Sequence, residues 1–174
     1  MSIGRWLVVC GLVLGPTPAM ADKMADVELG SPFDPAAWET SADGTPSRLG
    51  TVAGVQGTIV PQTCGNTITG VMFFFTSTNA SKIGEPGIAR AEDPAADAGA
   101  VYSALAAALA TAGYERTSLA VGEWVKSASG SGEKTYRRLS AIRCVPLDAL
   151  NMTRTCTVSL AAWRPGPPCT AGLE

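Results

Sequence analysis

Arginine and tryptophan side chains near the C-terminal end are the residues best suited to binding chemistry. Arg137 and Arg143 are six positions apart and out of phase with Cys144, so in one continuous strand they would share the face opposite that cysteine. A guanidinium presents a planar fork of N–H donors that matches a carboxylate. Together with Trp163, these arginines form a candidate binding face for carboxylates, sulfated glycans or an acidic protein. A solvated outer face explains the same residues without a ligand and is the simpler interpretation.

Motifs for catalysis are scarce. The sequence has no histidine, the usual general base near neutral pH and the commonest metal ligand. Its absence excludes Ser-His and Cys-His nucleophiles and histidine-ligated metal sites. The run 130–135 lacks a contiguous Gly-Lys-Ser/Thr, because Glu133 interrupts it, and so does not match a phosphate-binding loop. We predict no catalytic residue, no cofactor and no metal. A Ser/Lys pair or paired carboxylates remain as the routes to an enzyme. The clearest acidic cluster is Glu92, Asp93 and Asp97, and capping of the predicted helix explains it without catalysis.

The cysteines indicate a disulfide framework in an exported chain. Cys10 lies in the apolar leader, which leaves an even number of cysteines, as expected for two disulfides: Cys64, Cys144, Cys156 and Cys169. The preferred pairs are Cys144–Cys156 and, by elimination, Cys64–Cys169. A bond from Cys64 to Cys144 or Cys156 is the competing arrangement, and free thiols or a four-cysteine zinc site are weaker alternatives.

The first 21 residues have the order of a secretory signal peptide. Arg5 precedes an apolar run, residues 6–14, and Ala19-Met20-Ala21 supplies the small residues that signal peptidase accepts. The run is shorter than the roughly 20 residues that span a bilayer. We therefore expect cleavage after Ala21 and a periplasmic or extracellular location. The preference for Arg over Lys and the abundance of Ala are typical of a bacterial, GC-rich source.

The elements that must position these residues follow from the hydrophobic pattern. Residues 22–50 are rich in Ala, Asp, Ser, Gly and Pro and are predicted to be a flexible N-terminal segment, followed by a single domain over 51–174. Asp93 and Pro94 begin a predicted helix that Gly113 ends. Strands are predicted on either side of it, over 52–60, 68–78, 118–128, 134–145 and 153–164. This order, β-β-α-β-β-β, predicts an α+β fold: one helix on a four- to five-stranded antiparallel sheet, stabilised by disulfides.

The last three predicted strands have registers that agree with one another. A turn centred between Gly130 and Ser131 places Val125 opposite Tyr136, and also Glu123 opposite Arg138 and Leu119 opposite Ile142. A connection centred near Leu150 places Cys144 opposite Cys156. The alternation of residues 134–145 places Tyr136, Ile142 and Cys144 on one face, which is predicted to be the core face. The agreement favours an antiparallel meander.

These features favour an exported, non-enzymatic binding module. Its expected partner is another protein, as for an inhibitor, an immunity factor or an accessory subunit of an envelope complex. Acidic residues slightly outnumber basic ones, with a net charge of -2, and nucleic acid is therefore not an expected partner. The alternatives are a periplasmic hydrolase that uses carboxylates or a Ser/Lys pair, and a structural envelope component.

Overall fold

The computed structural model describes residues 23–80, 86–118, 122–127, 134–148 and 152–163. The helix and strands in these ranges are, in chain order, β1 (Lys23–Met24), β2 (Val27–Glu28), β3 (Glu39–Thr40), β4 (Pro46–Val52), β5 (Val55–Cys64), β6 (Thr67–Thr78), β7 (Ile88–Arg90), α1 (Pro94–Thr111), β8 (Glu115–Ser118), β9 (Glu123–Ser127), β10 (Lys134–Leu139), β11 (Arg143–Asp148) and β12 (Thr153–Trp163). Within those same ranges, no helix has the length and apolar character needed to cross a membrane.

The predicted α+β fold with four or five strands is wrong. The described residues form a mostly β structure, in which ten strands make one sheet, two make a separate hairpin and a single α-helix packs beside them. The prediction missed strands of two to four residues, such as β3, β7 and β8, which are too short for an alternating hydrophobic pattern to appear. It also missed β4, whose sequence contains proline and glycine.

The sheet is built around two long central strands, β6 and β12, which pair antiparallel over nine residues. The order across the sheet is β3-β4-β5-β6-β12-β10-β9-β8, while β7 pairs parallel with the end of β6 and β11 pairs with β12. The meander predicted from the sequence forms the half beyond β12. Val125 pairs with Tyr136 and Glu123 with Arg138, which confirms those two registers. Leu119 lies outside the described residues.

One face of the sheet, here called the covered face, contains the core. It carries Ile59, Phe73 and Val158, all fully buried, and these belong to one hydrophobic cluster with Leu105 and Leu109 of α1. The helix lies across β6, β12 and β10. Gly57 is required here, because a side chain at this position would come within 2.6 Å of the Phe73 ring. The opposite face, here called the open face, has neither α1 nor the N-terminal segment against it.

Helix α1 begins and ends as the sequence predicts. Asp93 is its N-cap, with a side chain that accepts a hydrogen bond from the Ala95 N–H at 3.1 Å, and Pro94 occupies the first turn. Gly113, with φ +82°, ends the helix in a left-handed conformation that a Cβ atom would disfavour. Lys126 Nζ donates to the Ala112 carbonyl at 2.7 Å, where a cation complements the helix dipole.

Residues 23–52, which fall largely in the segment predicted to be flexible, contain β1 to β4. Met24, Val27 and Leu29 are buried in the same hydrophobic cluster as the sheet. Arg48 Nη2 donates to the Ala25 carbonyl at 3.4 Å and so connects β4 to the β1–β2 turn. The predicted boundary at residue 51 lies inside β4. Three buried apolar side chains attach this segment to the sheet. The composition of the segment does not reveal them, because Asp, Gly and Pro are more numerous there.

The Cys144–Cys156 disulfide is present, and the two residues pair directly across β11 and β12, which confirms the predicted register. Cys64 is also disulfide-bonded. Its predicted partner, Cys169, lies outside the described residues, as do Cys10 and the signal-peptide residues.

Candidate functional site

The three residues of the predicted binding face do not share a face. Arg137 lies on the covered face and is only 4% exposed, with its guanidinium 5.2 Å from the centre of the Tyr114 ring. Arg143 and Trp163 lie on the open face. The predicted shared face of Arg137 and Arg143 is therefore wrong, while Arg143 and Trp163 remain on one surface.

A β-bulge separates the two arginines. Leu139 pairs with Leu160 and Arg143 pairs with Thr157, so three residues on the β10–β11 side oppose two on β12. Because a strand alternates with a period of two, one extra residue reverses the faces beyond it. The bulge places Cys144 on the covered face with Cys156, and it moves Tyr136 to the open face, although the sequence pattern had grouped Tyr136 with Cys144.

Three side chains from β10 and β12 form a stack on the open face. Tyr136 and Trp163 are directly opposite in the ladder, and their rings are stacked with centroids 5.7 Å apart. The Arg138 guanidinium lies 5.5 Å from the centre of the Trp163 ring, within the range of a cation–π interaction. We call Tyr136, Trp163 and Arg138 the aromatic–arginine stack. The two rings are half-buried and Arg138 is exposed.

The sequence pattern does not place Arg138 or Tyr136 in the candidate binding face. The signal that could have identified them is the proximity of Trp163 to the end of the last predicted strand. The predicted register, in which Cys144 pairs with Cys156, places Arg137 opposite Trp163, and both Tyr136 and Arg138 are one position from Arg137. A strand without the bulge would place Tyr136 on the core face. The sequence pattern therefore does not predict that Tyr136 lies beside Trp163 and Arg138.

Beyond the aromatic–arginine stack, the open face includes side chains that lie in rows along β10–β11, β12 and β6. The β10–β11 row carries three exposed cations, Lys134, Arg138 and Arg143. The β12 row is mostly hydroxyl-bearing, namely Thr153, Thr155, Thr157 and Ser159, and the β6 row contributes Met72 and Phe74. Ser159 Oγ donates to Ser140 Oγ at 3.0 Å, so that hydroxyl is held in place. Glu123, opposite Arg138, offsets part of the positive charge.

The other candidate sites have structural explanations. Asp93 of the acidic cluster Glu92, Asp93 and Asp97 caps α1 and forms an ion pair with Arg154 Nη2 at 2.8 Å. Lys134 and Thr135 of the glycine-rich run begin a strand, whereas a phosphate-binding loop is followed by a helix. In the part of the chain that the structure describes, no group of three or more Cys, Asp or Glu residues is arranged to hold a metal ion.

Comparison of the chain with protein-family models, with curated proteins and with solved structures gives no match in any of the three. The side chains of the open face can stack, donate hydrogen bonds and attract anions.

Proposed function

We propose that the chain is an exported, non-enzymatic binding module that recognises another protein through its open face. The observation that carries the proposal is the aromatic–arginine stack, in which Trp163, Tyr136 and Arg138 stand together on two paired strands. The signal-peptide pattern of residues 1–21 and the disulfide support an oxidising compartment outside the cytoplasm.

The composition of the stack favours a protein as the ligand. Trp, Tyr and Arg are the residue types most enriched at the energetic centres of protein–protein interfaces. Their aromatic bodies bury apolar area, while their polar ends still satisfy hydrogen bonds. Because the stack stands on the ladder between β10 and β12, its side chains are held in place before binding, which lowers the entropic cost of association.

The charge of the open face indicates the chemistry of the partner. Lys134, Arg138 and Arg143 form one row. Among the described residues, the acidic side chains nearest this row are Glu123 on β9 and Glu115 on β8, while Glu39 lies on the same face at the far edge of the sheet, on β3. A partner that presents carboxylates beside an apolar patch complements this arrangement. Binding would then weaken as salt rises, because exposed charge pairs are screened.

Site-specific photo-crosslinking tests the proposal. The mature protein carries a photoreactive side chain either at Thr157, in the middle of the open face, or at Ser103, on the exposed side of α1. Both proteins are irradiated in envelope extract from the source organism, and the products are identified by mass spectrometry. We expect one discrete heterologous product from position 157 and none from position 103.

Matched substitutions connect that product to the stack. Arg138→Gln removes the cation that lies against Trp163. Glutamine is chosen over glutamate because a second carboxylate would lie opposite Glu123. We expect about thirty-fold weaker binding to the identified partner. Arg48→Gln is the control, since Arg48 lies 4.8 Å from the Trp38 ring on the covered face. Equal crosslinking from both positions, or binding that survives Arg138→Gln, would contradict the proposal. A product containing two copies of this chain would instead support a structural component.

A further inference from the structure

The Cys144–Cys156 disulfide joins a buried cysteine to an exposed one. Cys156 is fully buried in the middle of the sheet, whereas Cys144 lies on β11, whose described side chains are all exposed. We propose that this bond is a thiol–disulfide exchange site, opened by attack of an external dithiol on Cys144 Sγ. The proposal concerns a different part of the molecule from the open face and does not depend on it.

The sheet topology leaves one direction open for this attack. A thiolate displaces a disulfide sulfur in line with the S–S bond, so access to that line determines which sulfur reacts. The bond runs from β12 to β11, and attack on Cys144 Sγ therefore comes from outside β11. Among the described strands, β11 pairs only with β12. Attack on Cys156 Sγ would come from the side of β6, which pairs with β12 there.

A buried hydroxyl belongs to the residue that pairs with Cys156. Ser77 pairs directly with Cys156 across β6 and β12, on the same covered face. The residue is fully buried, and its Oγ has no hydrogen-bond partner in the described part of the chain. A buried hydroxyl without a partner is costly and calls for an explanation, for which a redox role is one of the known reasons. In the reduced protein, Ser77 Oγ can donate to the Cys156 thiolate.

The exchange balances in two steps. The first thiolate of the dithiol attacks Cys144 Sγ, forms a mixed disulfide and releases Cys156 as a thiolate. The second thiol of the same reagent, as its thiolate, then attacks its own sulfur in the mixed disulfide and releases Cys144. Two electrons pass from the dithiol, which leaves as a disulfide, and the two released thiolates take up the two protons that the dithiol gave up. The reverse sequence oxidises the pair.

Reduction of the folded protein tests the site. The mature, oxidised protein is incubated with dithiothreitol without denaturant, quenched with acid, labelled with an alkylating reagent and mapped by peptide mass spectrometry. We expect Cys144 and Cys156 to be labelled while Cys64 remains disulfide-bonded. With glutathione in place of dithiothreitol, the trapped mixed disulfide should be on Cys144. Labelling of the pair only at the rate of global unfolding, or glutathione on Cys156, would overturn the proposal.

A serine substitution separates the redox role from a packing role. Ser77→Ala should slow reduction of Cys144–Cys156 about ten-fold, because the leaving thiolate loses a hydrogen bond. The same change should raise the melting temperature of the oxidised protein, because it removes a buried hydroxyl without a partner. Ser103→Ala, on the exposed side of α1, should leave the reduction rate unchanged. An unchanged rate in Ser77→Ala would assign Ser77 to packing alone and contradict this part of the proposal.

Discussion

Arg137 and Arg138 are neighbours in β10 and have opposite environments. Arg137 is buried beside Tyr114 and donates from Nη1 to the Tyr136 carbonyl at 3.0 Å, so it contributes to the covered face. Arg138 is exposed and lies against Trp163. A guanidinium has an apolar plane and polar edges, which suits it to both positions. At the scale of the residue, the environment of each arginine depends on the face that its side chain occupies.

Asp43 gives a prediction at this scale. Its carboxylate accepts hydrogen bonds from the Ser41 hydroxyl and the Thr45 N–H in the turn between β3 and β4, and these lower the pKa of Asp43 from 3.8 to about 2. Because the folded-state pKa lies below the unfolded value, the stabilisation is present above pH 3.8 and is lost as the pH falls towards 2. An NMR titration of the Asp43 side-chain carbonyl should give a midpoint of about 2.

The Ser41 hydroxyl is the largest cause of that shift. In Ser41→Ala, the midpoint should therefore move upwards, towards the ordinary value of an aspartate, while the Thr45 contribution remains. If the midpoint does not change in Ser41→Ala, the turn hydroxyl is not what stabilises the carboxylate.

At the scale of the element, the start of α1 depends on one side chain. Asp93 accepts from the Ala95 N–H and also pairs with Arg154, which links the helix to β12. Asp93→Ala should lower the free energy of unfolding by about 1 kcal/mol, because the capping bond is lost. Asp93→Asn keeps the cap and loses only an exposed ion pair, so its cost should be smaller. Urea unfolding of both variants measures the difference, and equal costs would show that the ion pair matters more than the cap.

Elements with a local signal could be predicted from the sequence. The Asp93-Pro94 start, the Gly113 end and the alternating residues of β9 and β10 were sufficient for α1 and for the Val125–Tyr136 register. The bulge between β10 and β11 has no such signal, since Ser140, Ala141 and Ile142 include neither glycine nor proline. It is set by how β12 pairs with two strands at once, which is a tertiary effect. The set of side chains on the open face could therefore be predicted only in part.

At the scale of the whole molecule, two parts of the chain, α1 and the N-terminal segment, cover the same face of the sheet, and each is called a cover here. The helix α1 lies over β6, β12 and β10, and the N-terminal segment places Met24, Val27 and Leu29 in the same buried cluster. Because both covers contact one continuous core, neither should unfold alone. Along the central strands β6 and β12, neither of these two covers lies against the open face, so the proposed binding surface and the buried core are on opposite sides of the sheet.

A substitution at Leu29 tests whether the N-terminal cover unfolds together with the sheet and α1. It is 3% exposed, and Leu29→Ala should lower the free energy of unfolding by about 2–5 kcal/mol, since it leaves a cavity in the core. Leu49→Ala is the control, because Leu49 is 45% exposed and its loss should cost little. In both variants, tryptophan fluorescence and circular dichroism should report one coincident transition in urea. Amides of β1 and β2 should also exchange with solvent at the rate of those in β12. Separate transitions, or early exchange confined to β1 and β2, would mean that the segment docks onto a sheet that is stable without it.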